Sequence, residues 1–131
     1  MGDGIRRQLE EHAIQPSAQR LAIADYVLRT REHPSADQVW EVVRARVPMV
    51  SRATVYNTLN LFVQKKLLRE LILAEGKIVF DPKTERHHHF IDQKTGDIHD
   101  VPWDAVKVES VESLPGFDVV EYQVVMRGRK T

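Results

Sequence analysis

The amino-acid sequence predicts an α+β fold, with an N-terminal winged helix-turn-helix domain followed by a small α/β domain. Apolar residues recur at helical spacing as far as residue 69, and two short apolar segments then flank a glycine turn before residue 81. Segments typical of β-strands begin near residue 87. We therefore expect a first domain at 1–80, a hinge at 81–86 and a second domain at 87–131.

The first two predicted helices are short and are separated by a proline. One lies around Ile5–His12, and Pro16 closes the connection to the next. His33-Pro34 ends the second helix, because the residue before a proline avoids helical backbone angles. This second helix carries apolar residues on one side, at Leu21, Ala24, Val27 and Leu28.

Serine residues mark the starts of the third and fourth helices. Ser35 followed by Gln38 is the pattern of a capping box, and Pro48 is expected to end that helix. Ser51 is expected to cap the fourth helix. The buried stripes are predicted at Ala36, Val39, Trp40, Val43 and Val47, and at Val55, Leu59, Phe62 and Val63. The opposite side of the fourth helix can enter a groove, because it holds small and polar residues without an acid: Ala53, Asn57, Asn60 and Gln64.

Turn and strand signals predict the rest of the chain. Residues 71–73 and 78–80 form a hairpin with its turn at Ala74-Glu75-Gly76-Lys77, and further strands are expected at 89–92 and 97–101 around the turn 93–96. Trp103–Leu114 is expected to form a short helix and Phe117–Met126 a strand. Because a domain of about 45 residues has little core of its own, we expect a homodimer with Phe117–Met126 in its interface.

Composition excludes several classes of protein. The sequence contains no cysteine, so any metal must bind to His, Asp or Glu. It has no apolar run near the ~20 residues that span a bilayer, and no signal peptide, so we expect a cytoplasmic protein without a membrane partner. Up to Phe80 the chain has 12 Lys/Arg against 9 Asp/Glu, and after it 7 against 10. This mild positive charge of the first part favours a nucleic-acid partner.

The run His87-His88-His89 gives the strongest local indication of chemistry. On a strand, His87 and His89 point to one side and His88 to the other, so the outer two form a chelating pair. Further candidate ligands are Asp81, Asp100 and His33. Imidazoles combined with carboxylates suit Fe(II) or Mn(II), and Zn(II) is a possible metal on purification.

Two other interpretations of the histidine run stay open on spacing alone. In one, the run is a solvated surface feature, and Asp81 and Asp100 are turn residues. In the other, it holds zinc in a small metallohydrolase. Such an enzyme needs an open coordination position and a general base, and Glu85 is the only nearby spare acid.

Six motifs along the chain carry a family resemblance. They are Ala18-Gln19-Arg20, His33-Pro34-Ser35-Ala36-Asp37, Ser51-Arg52-Ala53-Thr54-Val55-Tyr56-Asn57-Thr58-Leu59, Phe80-Asp81, His87-His88-His89 and Thr95-Gly96-Asp97-Ile98-His99-Asp100. With these motifs the sequence resembles the ferric uptake regulator family of repressors over nearly all of its 131 residues, and most closely the peroxide-stress subgroup of that family.

The resemblance implies a regulatory metal site that bridges the two domains and fixes the arrangement of the DNA-reading heads. Its ligands are expected at His33, Asp81, His87, His89 and Asp100, with Fe(II) or Mn(II) as the metal. Members with Asp at the last of these positions tend to be peroxide sensors, in which bound Fe(II) reduces peroxide and a ligand histidine is oxidised. The expected targets of oxidation are His33 and His87. A haem-responsive or plain iron regulator is the alternative within the family, and no enzyme activity is expected.

The sequence departs from the family pattern at two places. Members usually hold a structural zinc in two Cys-x-x-Cys pairs, and because this sequence lacks them no four-cysteine zinc site is expected. An accessory metal site in some relatives would need an acid near position 107 and a histidine near position 124. Lys107 and Val124 occupy these places, so His88 is not expected to be a ligand.

The start of the fourth helix is the expected DNA-reading segment, because recognition helices meet base edges with their N-terminal residues. Base contacts are expected from Arg52, Thr54, Tyr56 and Asn57, and phosphate contacts from Arg20 and Lys77. The expected partner is a double-stranded operator with an A/T-rich palindrome, bound by the homodimer.

Overall fold

The computed structural model describes residues 2–73 and 76–131. The chain forms two compact units, the first extending to Thr84 and the second running from Glu85 to Thr131. The first unit is mainly helical and the second is mainly built from short strands. None of the helices in the described ranges is long and apolar enough to cross a membrane.

Four helices lead the first unit: α1 Gly2–Glu11, α2 Ala18–Val27, α3 Ala36–Val43 and α4 Arg52–Gln64. The capping box predicted for α3 is confirmed, since the Gln38 N–H donates to Ser35 Oγ at 3.3 Å and the Ser35 N–H donates to Gln38 Oε1 at 2.8 Å. Ser51 caps α4 by accepting from the Thr54 N–H at 3.0 Å. Ser17 caps α2, which the sequence pattern did not predict.

The core of the first unit contains side chains from all four helices. Leu59 and Phe62 of α4 are fully buried, as are Val39 of α3 and Ile23 of α2. Burying a side chain of this size contributes about 1.5–3 kcal/mol. Because one side of α4 is committed to this core, the side that carries Asn57 is exposed to solvent.

Helix α3 is shorter than predicted. It ends at Val43 instead of at Pro48, and Trp40 and Val47 are only partly buried. Beyond Val43 several backbone N–H groups bond to carbonyls three residues back, which tightens the chain into turns of 3-10 type. The indole Nε1–H of Trp40 donates to the carbonyl of Val50 at 3.1 Å, so this ring lies at the edge of the core.

A two-stranded antiparallel sheet follows the helices and forms the wing. Its strands are β1 Arg69–Ile72 and β2 Ile78–Asp81, which confirms the predicted hairpin. Ala74 and Glu75 of the predicted turn lie outside the described residues. Gly76 has a φ of +74°, a backbone conformation that glycine adopts without a steric penalty.

The second unit is a three-stranded sheet with the histidine run in its central strand. Strand β3 (His87–Asp92) pairs antiparallel with β4 (Ile98–Pro102) and parallel with β5 (Val125–Gly128). The β3–β4 pair confirms the two strands predicted around the turn 93–96. In this pair His89 lies opposite Asp100.

The helix predicted at Trp103–Leu114 is wrong. Only Trp103–Ala105 form a turn of 3-10 helix, and Val106 already has extended backbone angles, with φ −131° and ψ 130°. Ser110 has a φ of +63°, which an α-helix does not contain. The segment is rich in β-branched residues, which fit extended backbone better than helical backbone.

The strand predicted at Phe117–Met126 is mostly wrong, because β5 begins only at Val125. The edge of β3 that does not pair with β4 pairs with β5, from His89 onward. Just before β5, the backbone N–H of Val124 donates to a histidine side chain instead of to a neighbouring strand. Phe117 is 72% exposed and Val120 is 93% exposed in the single chain.

Candidate metal centre and nucleic-acid interface

The backbone at His33, in the first unit, has an unusual conformation. His33 has a φ of +54°, a region that non-glycine residues rarely occupy and that stores about 1–3 kcal/mol of strain. The next residue, Pro34, accepts a hydrogen bond at 2.9 Å through its carbonyl from the N–H of Phe80 on β2. This bond ties the His33 segment to the end of the wing, where Asp81 follows.

His33 and Asp81 form a buried pair of imidazole and carboxylate. Nε2 of His33 lies 3.2 Å from Oδ2 of Asp81, and both side chains are about 5% exposed or less. The other carboxylate oxygen, Oδ1, accepts from the backbone N–H of Lys83 at 2.9 Å and so fixes the carboxyl group. The first unit thus provides one nitrogen and one oxygen that lie close enough to be two ligands of one cation.

Three side chains of the second unit meet at one carboxylate oxygen. The alternation along β3 puts His87 and His89 on the same side, with ring centroids 4.6 Å apart. Asp100 stands opposite His89 on β4, and its Oδ1 lies 3.4 Å from Nε2 of His87 and 3.5 Å from Nε2 of His89. Both rings are almost fully buried, whereas Asp100 is partly exposed.

Hydrogen bonds on the far side of each ring favour Nε2 as the ligand atom. Nδ1 of His87 lies 2.6 Å from the backbone carbonyl of Glu85, which can only accept a proton. Nδ1 of His89 lies 3.0 Å from Oε1 of Gln123. A ring that donates from Nδ1 in its neutral form keeps the lone pair of Nε2 available to a metal.

His88 faces the opposite side of the sheet and makes different contacts. Its Nδ1 accepts from the backbone N–H of Val124 at 2.9 Å, so its proton is on Nε2. The ring stacks on Trp103, with centroids 4.4 Å apart, and Arg86 covers the indole at 3.9 Å. These contacts give His88 a packing role in the second unit.

The donor sets fit a divalent transition metal. Each unit offers imidazole nitrogen and carboxylate oxygen, and the two rings of β3 direct Nε2 toward the same carboxylate oxygen. Mixed nitrogen and oxygen ligands suit Fe(II), Mn(II) and Zn(II), and the sequence has no thiolate to favour a tetrahedral sulfur site.

A groove of about 410 Å³ lies between the start of α2 and the exposed side of α4. Arg20, Thr54 and Asn57 line this groove together, so the structure joins three of the predicted DNA contacts. The guanidinium of Arg20 is held by a hydrogen bond of 2.9 Å from Nη1 to the carbonyl of Gln15. This bond restrains the Arg20 side chain beside the groove.

Arg52 and Tyr56 form a second group, around the carboxylate of Asp37. Nη1 of Arg52 lies 3.3 Å from Oδ1 of Asp37, and the hydroxyl of Tyr56 lies 3.4 Å from the same oxygen. Arg52 also stacks on Trp40, at 4.3 Å from its ring centroid. The guanidinium therefore lies against an acid of α3 and a ring of the same helix.

Lys77 stands apart from both groups of predicted DNA contacts. It is exposed at the end of the wing, and its carbonyl accepts from the Leu73 N–H at 2.7 Å. An exposed cation on the wing is compatible with a phosphate contact.

Three residues of these sites were not predicted from the sequence. Asp37 was noted only as part of a motif, although an acid in the first turn of a helix packed against α4 was a usable signal. Glu85 contributes through its backbone, and Gln123 lies 34 residues from the histidine that it contacts. Neither of these two contacts can be predicted from the spacing of residues in the sequence.

Comparisons with known proteins agree with this architecture. A sequence profile described as "Ferric uptake regulator family" matches residues 11–127. The chain is 31% identical over 122 residues to the peroxide operon regulator of Bacillus subtilis, covering 92% of this chain and 84% of the relative. It is 30% identical over 124 residues to the peroxide-responsive repressor PerR of Staphylococcus epidermidis, covering 92% and 81%.

Solved structures share the fold over almost the whole chain. The ferric uptake regulator of Vibrio cholerae superposes with a TM-score of 0.75 at 20% identity, covering 95% of this chain and 98% of that one. The ferric uptake regulator of Pseudomonas aeruginosa with manganese gives 0.71 at 22%, covering 96% and 97%. The peroxide stress regulator of Campylobacter jejuni gives 0.68 at 25%, covering 98% and 95%. The fold is thus the predicted one, a winged-helix domain followed by a small α/β domain.

Proposed function

Because the chain belongs to the ferric uptake regulator family, we propose that it is a metal-dependent transcriptional repressor that senses peroxide. The observation that carries the proposal is the meeting of two imidazoles at one carboxylate in the second unit, where His87 and His89 both direct Nε2 to Oδ1 of Asp100. The names of the relatives in Bacillus subtilis and Staphylococcus epidermidis support peroxide as the signal.

The proposed ligands come from both units, and they are His33, Asp81, His87, His89 and Asp100. Fe(II) or Mn(II) is the proposed metal, because the donor set consists of neutral nitrogen and carboxylate oxygen. The manganese-containing relative from Pseudomonas aeruginosa supports this choice. Zn(II) is the metal that we expect as a contaminant on purification.

When bound, Fe(II) supplies the electrons that reduce peroxide beside its ligand histidines, which Mn(II) does not readily do. We propose His33 and His87 as the residues that gain an oxygen atom. Both rings are buried and closely surrounded, His33 by Asp81 at 3.2 Å and His87 by the Glu85 carbonyl at 2.6 Å. An oxidised ring is a poorer donor to a metal than a neutral imidazole, so oxidation is expected to weaken the metal site.

The DNA interface is proposed on the exposed side of α4 and on the wing. Arg52, Thr54, Tyr56 and Asn57 would contact bases, and Arg20 and Lys77 would contact phosphates. The proposed target is an A/T-rich palindrome, because a homodimer presents two copies of α4 related by a two-fold axis. Metal binding would favour the arrangement of the dimer that fits the operator, by a population shift.

The experiment that tests this proposal compares two metals. With Mn(II) or Fe(II), the protein should bind a palindromic A/T-rich duplex in a gel-shift assay. Micromolar peroxide should release the Fe(II) form from DNA and leave the Mn(II) form bound. Mass spectrometry of the released protein should find one added oxygen atom on the peptide containing His33 or His87.

The replacement Asp100→Glu sharpens the same experiment. It should blunt the peroxide response of the Fe(II) form while metal-dependent DNA binding persists. An Fe(II) form that keeps its operator under peroxide would contradict the peroxide proposal. Release by haem under those conditions would identify the haem-responsive alternative.

A further inference from the structure

The hydrogen bonds around the histidine run fix each ring in one of two neutral forms. His87 faces a backbone carbonyl, which requires a proton on Nδ1, and His88 faces a backbone N–H, which requires a bare Nδ1. Replacing the side chain of Glu85 or of Val124 leaves these backbone groups in place. Within the run, His89 differs because its Nδ1 contacts a side chain, Oε1 of Gln123, at 3.0 Å.

The backbone next to Gln123 is anchored to the same histidines. The N–H of His89 donates to the carbonyl of Val124 at 3.0 Å, and the N–H of Val124 donates to Nδ1 of His88 at 2.9 Å. These two bonds hold the start of β5 beside the run. They therefore place the Gln123 side chain next to the His89 ring.

The opposite nitrogen of His89 is under the influence of Asp100. Its Nε2 lies 3.5 Å from Oδ1 of that carboxylate, and a negative charge there favours a proton on Nε2. A ring protonated on Nε2 cannot bind a metal through that atom. The acceptor at Nδ1 opposes this influence, because it favours a proton on Nδ1.

We propose that Gln123 is a positioning residue for His89, whose side-chain carbonyl accepts the Nδ1–H and keeps Nε2 available toward Asp100 for a divalent metal. This inference rests on the proposed metal site, and it adds to that site a residue from the segment just before β5. Outer groups that orient a metal-binding histidine typically change metal affinity by about 10–100-fold when they are removed.

The test uses two variants with the length of the glutamine side chain. Gln123→Met removes the acceptor, and Gln123→Glu keeps an acceptor in place. Asp118→Asn serves as the control, because it changes a polar group on the exposed part of the same segment. Circular dichroism and thermal unfolding establish that all four proteins are folded.

The first measurement is the ¹⁵N chemical shifts of the His89 ring in the metal-free protein at alkaline pH. The wild-type protein, Gln123→Glu and Asp118→Asn should carry the proton on Nδ1. Gln123→Met should shift the proton toward Nε2. An unchanged ring in Gln123→Met would overturn the proposal.

The second measurement is the affinity for Mn(II) alone, from the electron paramagnetic resonance of the free ion. Gln123→Met should bind about 10–100-fold more weakly than the wild type, and Gln123→Glu should restore the affinity. A weakened affinity with an unchanged ring proton, or a shifted proton with unchanged affinity, would also overturn the proposal. A wild-type protein that does not bind Mn(II) would contradict the proposed function, while the metal-free spectra still judge the role of Gln123.

Discussion

The two units of the chain bury different kinds of side chain. In the first unit the buried residues are mostly apolar, with Phe62, Leu59 and Val39 fully enclosed. In the described part of the second unit the buried side chains are His87, His88, His89 and Asp92. Polar groups cost free energy when they are buried, unless they are hydrogen-bonded or bind an ion. The first unit is therefore stabilised by its own core, whereas we expect the second to depend on hydrogen bonds, a metal and a partner chain.

The largest expected effect tests the core of the first unit. Phe62→Ala should lower the free energy of unfolding by about 3–5 kcal/mol, because it removes a fully buried ring and leaves a cavity. Urea unfolding followed by circular dichroism measures this loss. Phe117→Ala is the matched control, since that ring is 72% exposed in the single chain, and at a protein concentration far below the dimer dissociation constant it should change little. Equal losses of unfolding free energy in both variants would contradict the proposed difference between the two units.

Metal binding should stabilise the protein by a comparable amount. At a free Mn(II) concentration of about 100 times the dissociation constant, binding adds about 2.7 kcal/mol to the free energy of unfolding. His89→Ala should abolish this gain, together with metal-stimulated DNA binding, and Asp81→Ala should do the same. His99→Ala is the control, because it removes an imidazole from the strand position next to Asp100. Full Mn(II) responses in His89→Ala and Asp81→Ala would show that the site is misplaced.

We expect dimerisation to be the third source of stability for the second unit. Phe117 and Val120 are large exposed apolar residues, which we expect to lie in the subunit interface. Val120→Asp should weaken dimerisation by at least about tenfold, or about 1.4 kcal/mol, in sedimentation equilibrium. Met49→Asp changes a residue of similar exposure, 89%, in the first unit and should leave the dimer intact. If the wild-type protein is monomeric at micromolar concentration, the proposed interface is wrong.

The smallest effect concerns a local feature of the first unit. Ser35→Ala should cost about 1 kcal/mol, because it removes the side chain that caps α3. Ser35→Asp keeps an acceptor at the cap and should recover most of this loss. The variant is also informative about the metal site, since the Ser35 cap lies two residues after the strained His33. A Ser35→Ala protein of unchanged stability in urea would show that the cap contributes nothing.

Local patterns in the sequence were sufficient for most of the first unit. The caps at Ser35 and Ser51 and the buried positions Val55, Leu59 and Phe62 follow from contacts within one or two turns of a helix. The alternation of His87 and His89 follows in the same way from the period of a strand. The pairing of Asp100 with His89 also has a local origin, because a short turn fixes which residues face each other in a hairpin.

Tertiary structure decided what local patterns could not contain. The β5 strand pairs with β3 from 36 residues away, so the composition of residues 117–124 could not show that they stay outside the sheet. The Asp37 contact with Arg52 and the Gln123 contact with His89 each join residues at least 15 positions apart. A helix or strand period reports only which side of an element is buried, whereas these contacts depend on how separate elements pack. The sequence by itself therefore determined the fold class and the candidate ligands, and the packing of distant segments determined how those ligands are oriented.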